Sequence, residues 1–170
     1  MSSLPDWKIA QYALDHGMIV PYNEDQLNPG SYDVLLDDTL LIEHPTAVNE
    51  RIWKKIDISQ NHYMLSPGEF VLGCTQEVVS IPNDLEGVFC LKSSRGREGY
   101  NHMLAAYLDS GFIGKVTLEI HNCNRFNSLP LYKGLRIGQI RFSRMEAMPL
   151  KPYSKTGRYH LDMEPVPSKG

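Results

Sequence analysis

Val116-Thr-Leu-Glu-Ile-His121 alternates apolar and polar residues one by one, the period of a strand with one buried face. The same rhythm extends on either side. Upstream, the Pro67-Gly68 turn leads to two predicted strands, Phe70 to Thr75 and Gln76 to Ile81. Pro82-Asn-Asp84 turns the chain, and Leu85 to Leu91 reads as the returning strand. Downstream, Leu129 to Leu131 and the Lys133-Gly134 turn precede Leu135 to Phe142, where Leu135, Ile137, Gln139 and Arg141 are expected on one face. Many short strands between Pro and Gly turns predict a mainly β fold, a sandwich or a barrel.

The beginning of the chain is different. Pro5-Asp6 can open a helix, apolar residues follow at helical spacing, and Gly17 can end it, which predicts a short N-terminal helix over 7–16. Met18 to Val20, Val34 to Leu36 and Thr39 to Ile42 are predicted strands, with a turn at Asn28-Pro-Gly-Ser-Tyr-Asp33. Glu43 to Lys55 is polar and irregular and is expected as a surface loop. Ile56 to Ile58 and Tyr63 to Leu65 flank a further turn. After Met145 the chain carries Pro149, Pro152, Pro165 and Pro167 with little apolar pattern. Residues 1–148 are therefore expected to form one β domain and 149–170 a tail, either disordered or laid over a ligand or a neighbouring subunit.

Composition narrows the function classes. The 170 residues suffice for one domain with a core, and a net charge of −3 gives no global field for nucleic acid or anionic membrane. Three widely spaced cysteines, Cys74, Cys90 and Cys123, contain no Cys-x-x-Cys, which disfavours a zinc ribbon or a zinc-type deaminase. No stretch approaches the roughly 20 apolar residues of a membrane span, and no signal segment is evident, so a cytoplasmic protein is expected.

Chemistry concentrates at Lys92-Ser-Ser-Arg-Gly-Arg97, where two hydroxyls and three cations flank a glycine. Such a composition suits an anion, because hydroxyls, guanidinium forks and backbone N–H groups all donate to phosphate oxygens. Ser93 and Ser94 could also simply cap a local turn. Asp109 and Glu119 follow, each within an apolar stretch. Glu119 reads as a solvent-facing strand residue or as a proton-handling acid, and Asp109 as a turn residue or a ligand contact.

Several of these stretches, in order along most of the chain, resemble the dCTP deaminases of the dUTPase-like superfamily. Leu27-Asn-Pro-Gly-Ser-Tyr-Asp33, Ser66-Pro-Gly-Glu-Phe-Val-Leu72, Lys92 to Arg97, His102 to Asp109, Gly111 to Glu119 and Tyr132 to Gln139 are the matching elements. The resemblance implies a distorted jelly-roll-like β-barrel, a homotrimer and sites between subunits. It implies hydrolytic, zinc-independent deamination of dCTP to dUTP, with Mg2+ carried by the triphosphate and dTTP as a further nucleotide ligand, an inhibitor. The Glu119 position would shuttle the proton from the attacking water to cytosine N3 and the leaving amine. Ser93 and Arg97 would assist it in the active site. Lys92, Ser94, Arg95, Gly96, His102 and Ala105 would contact substrate, as would Asp109, Thr117 and Leu118. Tyr153, Arg158 and Asp162 fall where the family's tail closes over the nucleotide. The implied rivals are a bifunctional enzyme that forms dUMP, a dUTPase, and a non-catalytic nucleotide-binding homologue.

The chain departs from the family pattern at named positions. Lys92 stands for an arginine, Arg95 for an apolar residue, Leu104 for a threonine and Ala106 for a glycine. Ala106 and Tyr107 are expected to reshape the base pocket. Asp162 stands for a glutamine near the triphosphate, where an acid would repel phosphate oxygens unless a metal intervenes.

Overall fold

The computed structural model describes residues 2–44, 52–103, 105 and 107–170. Strand β1 (Ser2–Ser3) precedes helix α1 (Asp6–His16). Asp6 sits in the first turn, where the helix dipole favours an acid, and Gly17 ends the helix at φ 61°. Ile9 and Ala13 are its buried residues. Then come β2 (Ile19–Val20), a single 3-10 turn (Glu24–Gln26), β3 (Leu27–Asn28), β4 (Ser31–Leu35), β5 (Thr39–His44) and β6 (Ile52–Asp57). The middle of the chain forms β7 (Tyr63–Leu65), β8 (Phe70–Ser80), β9 (Leu85–Leu91), helix α2 (Ser93–Glu98), β10 (Tyr100–His102) and β11 (Tyr107–Leu108). The last elements are β12 (Ile113–Asn122), β13 (Leu129–Leu131), β14 (Arg136–Arg144) and the short helix α3 (Tyr153–Thr156).

Two six-stranded sheets carry the fold. One runs β11-β9-β14-β4-β3 with β1 beside β14; the other runs β10-β12-β8-β5-β6 with β2 beside β8. A two-stranded ribbon joins β13 and β7. The pairs are antiparallel and the sheets stay open, so the jelly-roll-like barrel is a distorted one with free edges. Among the described residues one hydrophobic core draws Tyr32, Val34, Ile140 and Phe142 from one sheet and Leu40, Val71, Leu118 and Ile120 from the other.

Four expectations need correction. The two strands predicted over 70–81 are one strand, and the break between them is a bulge. Cys74 pairs with Thr117 and Val78 with Lys115, so residues 75–77 stand opposite Val116 alone. Thr75 fills the gap: its hydroxyl donates to the Glu77 carbonyl at 2.7 Å and accepts the Val116 N–H at 3.0 Å. On β14 a second bulge at Ile137 shifts the pairing between Arg136 and Gly138, so the predicted shared face does not persist. Leu135 and Ile137 are buried, but beyond the bulge Ile140 and Phe142 take over the core face and Arg141 is exposed. The polar stretch 43–55 is not all loop. β5 continues to His44, and β6 begins at Ile52 as an edge strand whose lysines, Lys54 and Lys55, are exposed; residues 45–51 lie outside the described residues. The Lys92–Arg97 turn is a short helix, ended by Gly99 at φ 105°.

Candidate active site

β12 positions the site through its own alternation. Val116, Leu118 and Ile120 are buried in the core, which sends Lys115, Thr117, Glu119 and His121 to the opposite face. β8 lies alongside in register, with Phe70 opposite His121 and Leu72 opposite Glu119. A cavity of about 760 Å³ lies against this face. Trp53, Phe70 and Leu72 give it apolar walls, Val88 and Tyr107 border it from the other sheet, and Tyr153, Tyr159 and Asp162 come from the tail. Its size and mixed lining fit a small ligand with a flat ring and a polar end.

Three acids line this space: Glu119, Asp109 and, from the tail, Asp162. Burial pushes the Glu119 carboxyl above the usual carboxylate range, against a smaller opposing pull from its own backbone N–H. Asp109 sits at the turn before β12, where its carbonyl accepts the Phe112 N–H at 3.0 Å; burial raises its carboxyl as well. Lys115, two positions before Thr117 on the same face, is tied to Asp37. The carboxylate of Glu119 has no ion-pair partner among the described residues.

The tail is fastened to the start of β12. Tyr153 N–H donates to the Ser110 carbonyl at 2.8 Å, Leu161 N–H to the Ile113 carbonyl at 2.7 Å, and Lys115 N–H to the Asp162 carbonyl at 2.8 Å. The Tyr153 ring lies 5.8 Å from that of Phe112. Among the described residues no cluster of three or more His, Cys, Asp or Glu side chains is arranged for a metal ion. No helix among them is long and apolar enough to cross a membrane.

The chain thus carries an acid held by a strand on a largely apolar cavity and a cation- and hydroxyl-bearing helix following β9. Residues 3–145 match the family described as dCTP deaminase-like. The chain belongs to that family. A protein of Dictyoglomus turgidum named "dCTP deaminase, dUMP-forming" is 36% identical, over 98% of this chain and 93% of its own length. One of Rhodococcus erythropolis with the same name is 33% identical, over 89% of this chain and 86% of its own. The crystal structure of 2'-deoxycytidine 5'-triphosphate deaminase from Agrobacterium tumefaciens superposes with a TM-score of 0.70 at 22% identity, over 85% of this chain. That likeness is one of fold, and it spans 49% of the Agrobacterium chain.

Of the residues singled out in this dCTP deaminase-like sequence, Glu119, Ala105, Asp109, Thr117, Tyr153 and Asp162 gather on the cavity wall. The α2 group does not line the cavity of its own chain. Ser93, Ser94, Gly96 and Arg97 are exposed. Arg95 pairs with Glu98 at 2.8 Å and lies over the Tyr100 ring, its guanidinium carbon 5.9 Å from the centroid. Lys92 reaches the buried Asp33 at 2.5 Å, so its charge is engaged inside the fold. His102 meets the Phe89 ring edge-on, with Nδ1 buried and unpartnered, and burial holds its pKa below the ordinary histidine value. Leu118 is in the core, and Arg158 is an exposed tail residue. Leu104 and Ala106 lie outside the described residues.

Sequence reasoning passed over Lys115, Trp53, Phe70, Leu72 and Tyr159, all of which line the cavity. For Lys115 a signal existed, since it stands two and four residues before Thr117 and Glu119 in one strand. Trp53 was hidden within the segment read as loop.

Proposed function

We propose that this chain deaminates dCTP by hydrolysis and carries the product on to dUMP. The observation that carries the reading is Glu119: a raised, unpaired carboxyl fixed on β12 in a cavity of nucleotide size. A group of this kind can accept a proton and return it near working pH. Glu119 takes the proton of a water that attacks cytosine C4. It then delivers protons to N3 and to the amine, which leaves as ammonia as the C4–N bond breaks. Thr117 and Ala105 flank the base, and Asp109 orients the deoxyribose. The second step, water attack on the phosphate chain with loss of pyrophosphate, is favoured over release of dUTP by the dUMP-forming names of both relatives above.

The exposed donors of α2 support a homotrimeric assembly. In it Ser93 and Arg97 of one subunit complete the cavity of the next and grip the phosphates, with Ser94 and Gly96 beside them. Mg2+ would accompany the triphosphate, an arrangement that calls for no dedicated metal cage in the protein. When bound it would neutralise phosphate charge, and Asp109 is the carboxylate at hand, since Asp162 is already paired with Lys169. Tyr153 and the rest of 149–170 act as a lid. dTTP would occupy the same cavity as an inhibitor.

The test is to incubate the chain with dCTP and Mg2+ and measure ammonia, pyrophosphate and nucleotide products together. Ammonia and pyrophosphate in equal amounts, with dUMP, support the proposal. Ammonia with accumulating dUTP shows the single-step deaminase, and bound nucleotide without ammonia shows a non-catalytic binder.

A further inference from the structure

Asp162 brings a carboxylate to the wall of a cavity assigned to a polyphosphate ligand. It does not stand alone. The Lys169 ammonium reaches both of its oxygens, at 2.9 and 2.7 Å, and donates also to the Arg158 carbonyl at 2.9 Å. It lies 5.2 Å from the centre of the Tyr159 ring, and the Lys169 backbone N–H donates to the Tyr159 hydroxyl at 3.2 Å. Tyr159 and Ser168, which precedes Lys169, line the same cavity. One lysine thus ties the two ends of the segment 158–169 together beside the ligand space.

Charge decides what this arrangement can do. A bare Asp162 would oppose every phosphate oxygen that approached it. Clasped by Lys169, the pair is close to neutral. The Lys169 side chain is 40% exposed and that of Asp162 is 18% exposed, so the pair gains little from its own attraction and can be redistributed. An ammonium has three rotatable donors and suits a phosphate chain as a movable point charge. The cation that lines the wall itself, Lys115, is held by Asp37, whose side chain is only 12% exposed, whereas Lys169 stands behind the wall at Asp162.

We propose that Lys169 is the residue that reads the phosphate chain from the tail. It neutralises Asp162 in the free chain and shares its charge with the nucleotide phosphates in the complex, so that affinity rises with phosphate number. This rests on the nucleotide reading of the cavity.

The experiment measures binding of dCTP, dCMP and deoxycytidine by calorimetry, with Mg2+ present, in a Glu119→Gln background that prevents turnover. Lys169→Met is expected to weaken dCTP about tenfold, dCMP less, and deoxycytidine less than twofold. Lys169→Arg should retain most of the affinity. Asp162→Asn combined with Lys169→Met should recover most of the loss, because the repelling charge leaves with its partner. Equal losses for all three ligands would reduce Lys169 to a structural strap and overturn the proposal. Unchanged dCTP affinity would overturn it too, while leaving the nucleotide site standing. A parent protein that binds none of the three would remove that site and this inference together.

Discussion

Glu119 on β12 pairs directly across the ladder with Leu72 on β8, which is 6% exposed and lines the same cavity. The acid therefore has an apolar neighbour at the closest cross-strand position, and not a cation. That relationship explains its raised carboxyl: water is displaced, and only its own backbone N–H, a weaker effect, makes up part of the loss. A strand paired on both sides, to β8 and to β10, also fixes the side chain better than a loop would.

Glu119→Gln is expected to lower deamination by roughly 10²–10⁴-fold, the usual worth of a positioned proton carrier, while dCTP binding changes little. Ammonia release and calorimetry check the two halves. In the unaltered chain the acid limb of kcat/KM should lie above 4.5, the ordinary value for the group. Substantial turnover by the glutamine variant would take Glu119 out of this role.

The same substitution makes a stability prediction. Burial raises the folded-state pKa of Glu119 above its unfolded value of 4.5, so the folded state holds this proton more tightly. The stabilisation this proton provides is full below 4.5 and is lost as pH rises through the folded pKa. Glutamine carries no charge to bury. Glu119→Gln should therefore raise the thermal midpoint by about 1–4 °C at pH 7–8, with the difference shrinking toward pH 4. A scan of melting temperature against pH tests it, and a constant offset across that range would refute it.

The strands of this fold were legible because burial on one face writes period two into the sequence, and β12 shows it without interruption. Bulges were not. The residues of Thr75 to Glu77 and Ile137 look like any others, and their displacement comes from pairing with strands distant in sequence. The acids of the cavity were legible for the same reason as β12: polar residues in apolar stretches stand out. The cavity's apolar walls were not, because Trp53, Phe70 and Leu72 look like ordinary core until the tail is laid beside them. The engagement of Lys92 with Asp33, 59 positions away, was equally hidden, since composition shows a cation but not its partner.

Lys92 is predicted to matter first for folding. Asp33 is 1% exposed, and besides Lys92 it has the Asn28 amide at 2.8 Å and a longer approach from Arg136 at 3.6 Å. Removing the cation leaves a buried carboxylate that these two compensate only in part. Lys92→Met should cost about 2–3 kcal/mol in urea unfolding, somewhat less than a fully buried pair because the Lys92 side chain is 26% exposed and Asp33 keeps other partners. KM for dCTP should change less than threefold. A tenfold rise in KM at unchanged stability would instead return Lys92 to the phosphates.

Gly114 offers a way to disturb the tail without touching Glu119 or α2. It is the second residue of β12, at φ 153°, and a Cβ there would stand 2.8 Å from the Asp162 carbonyl oxygen and 3.3 Å from its nitrogen. Both contacts are with backbone, so the tail and not a flexible side chain must give way. The Lys115 N–H to Asp162 bond, next in the chain, would lengthen with it. Gly114→Ala should cost about 1 kcal/mol in overall stability. It should also loosen residues 158–169, seen as faster proteolysis there, and raise KM for dCTP several-fold with kcat less affected. A variant whose tail is cleaved faster yet whose KM is unchanged would show that the tail packs on the cavity without closing over substrate.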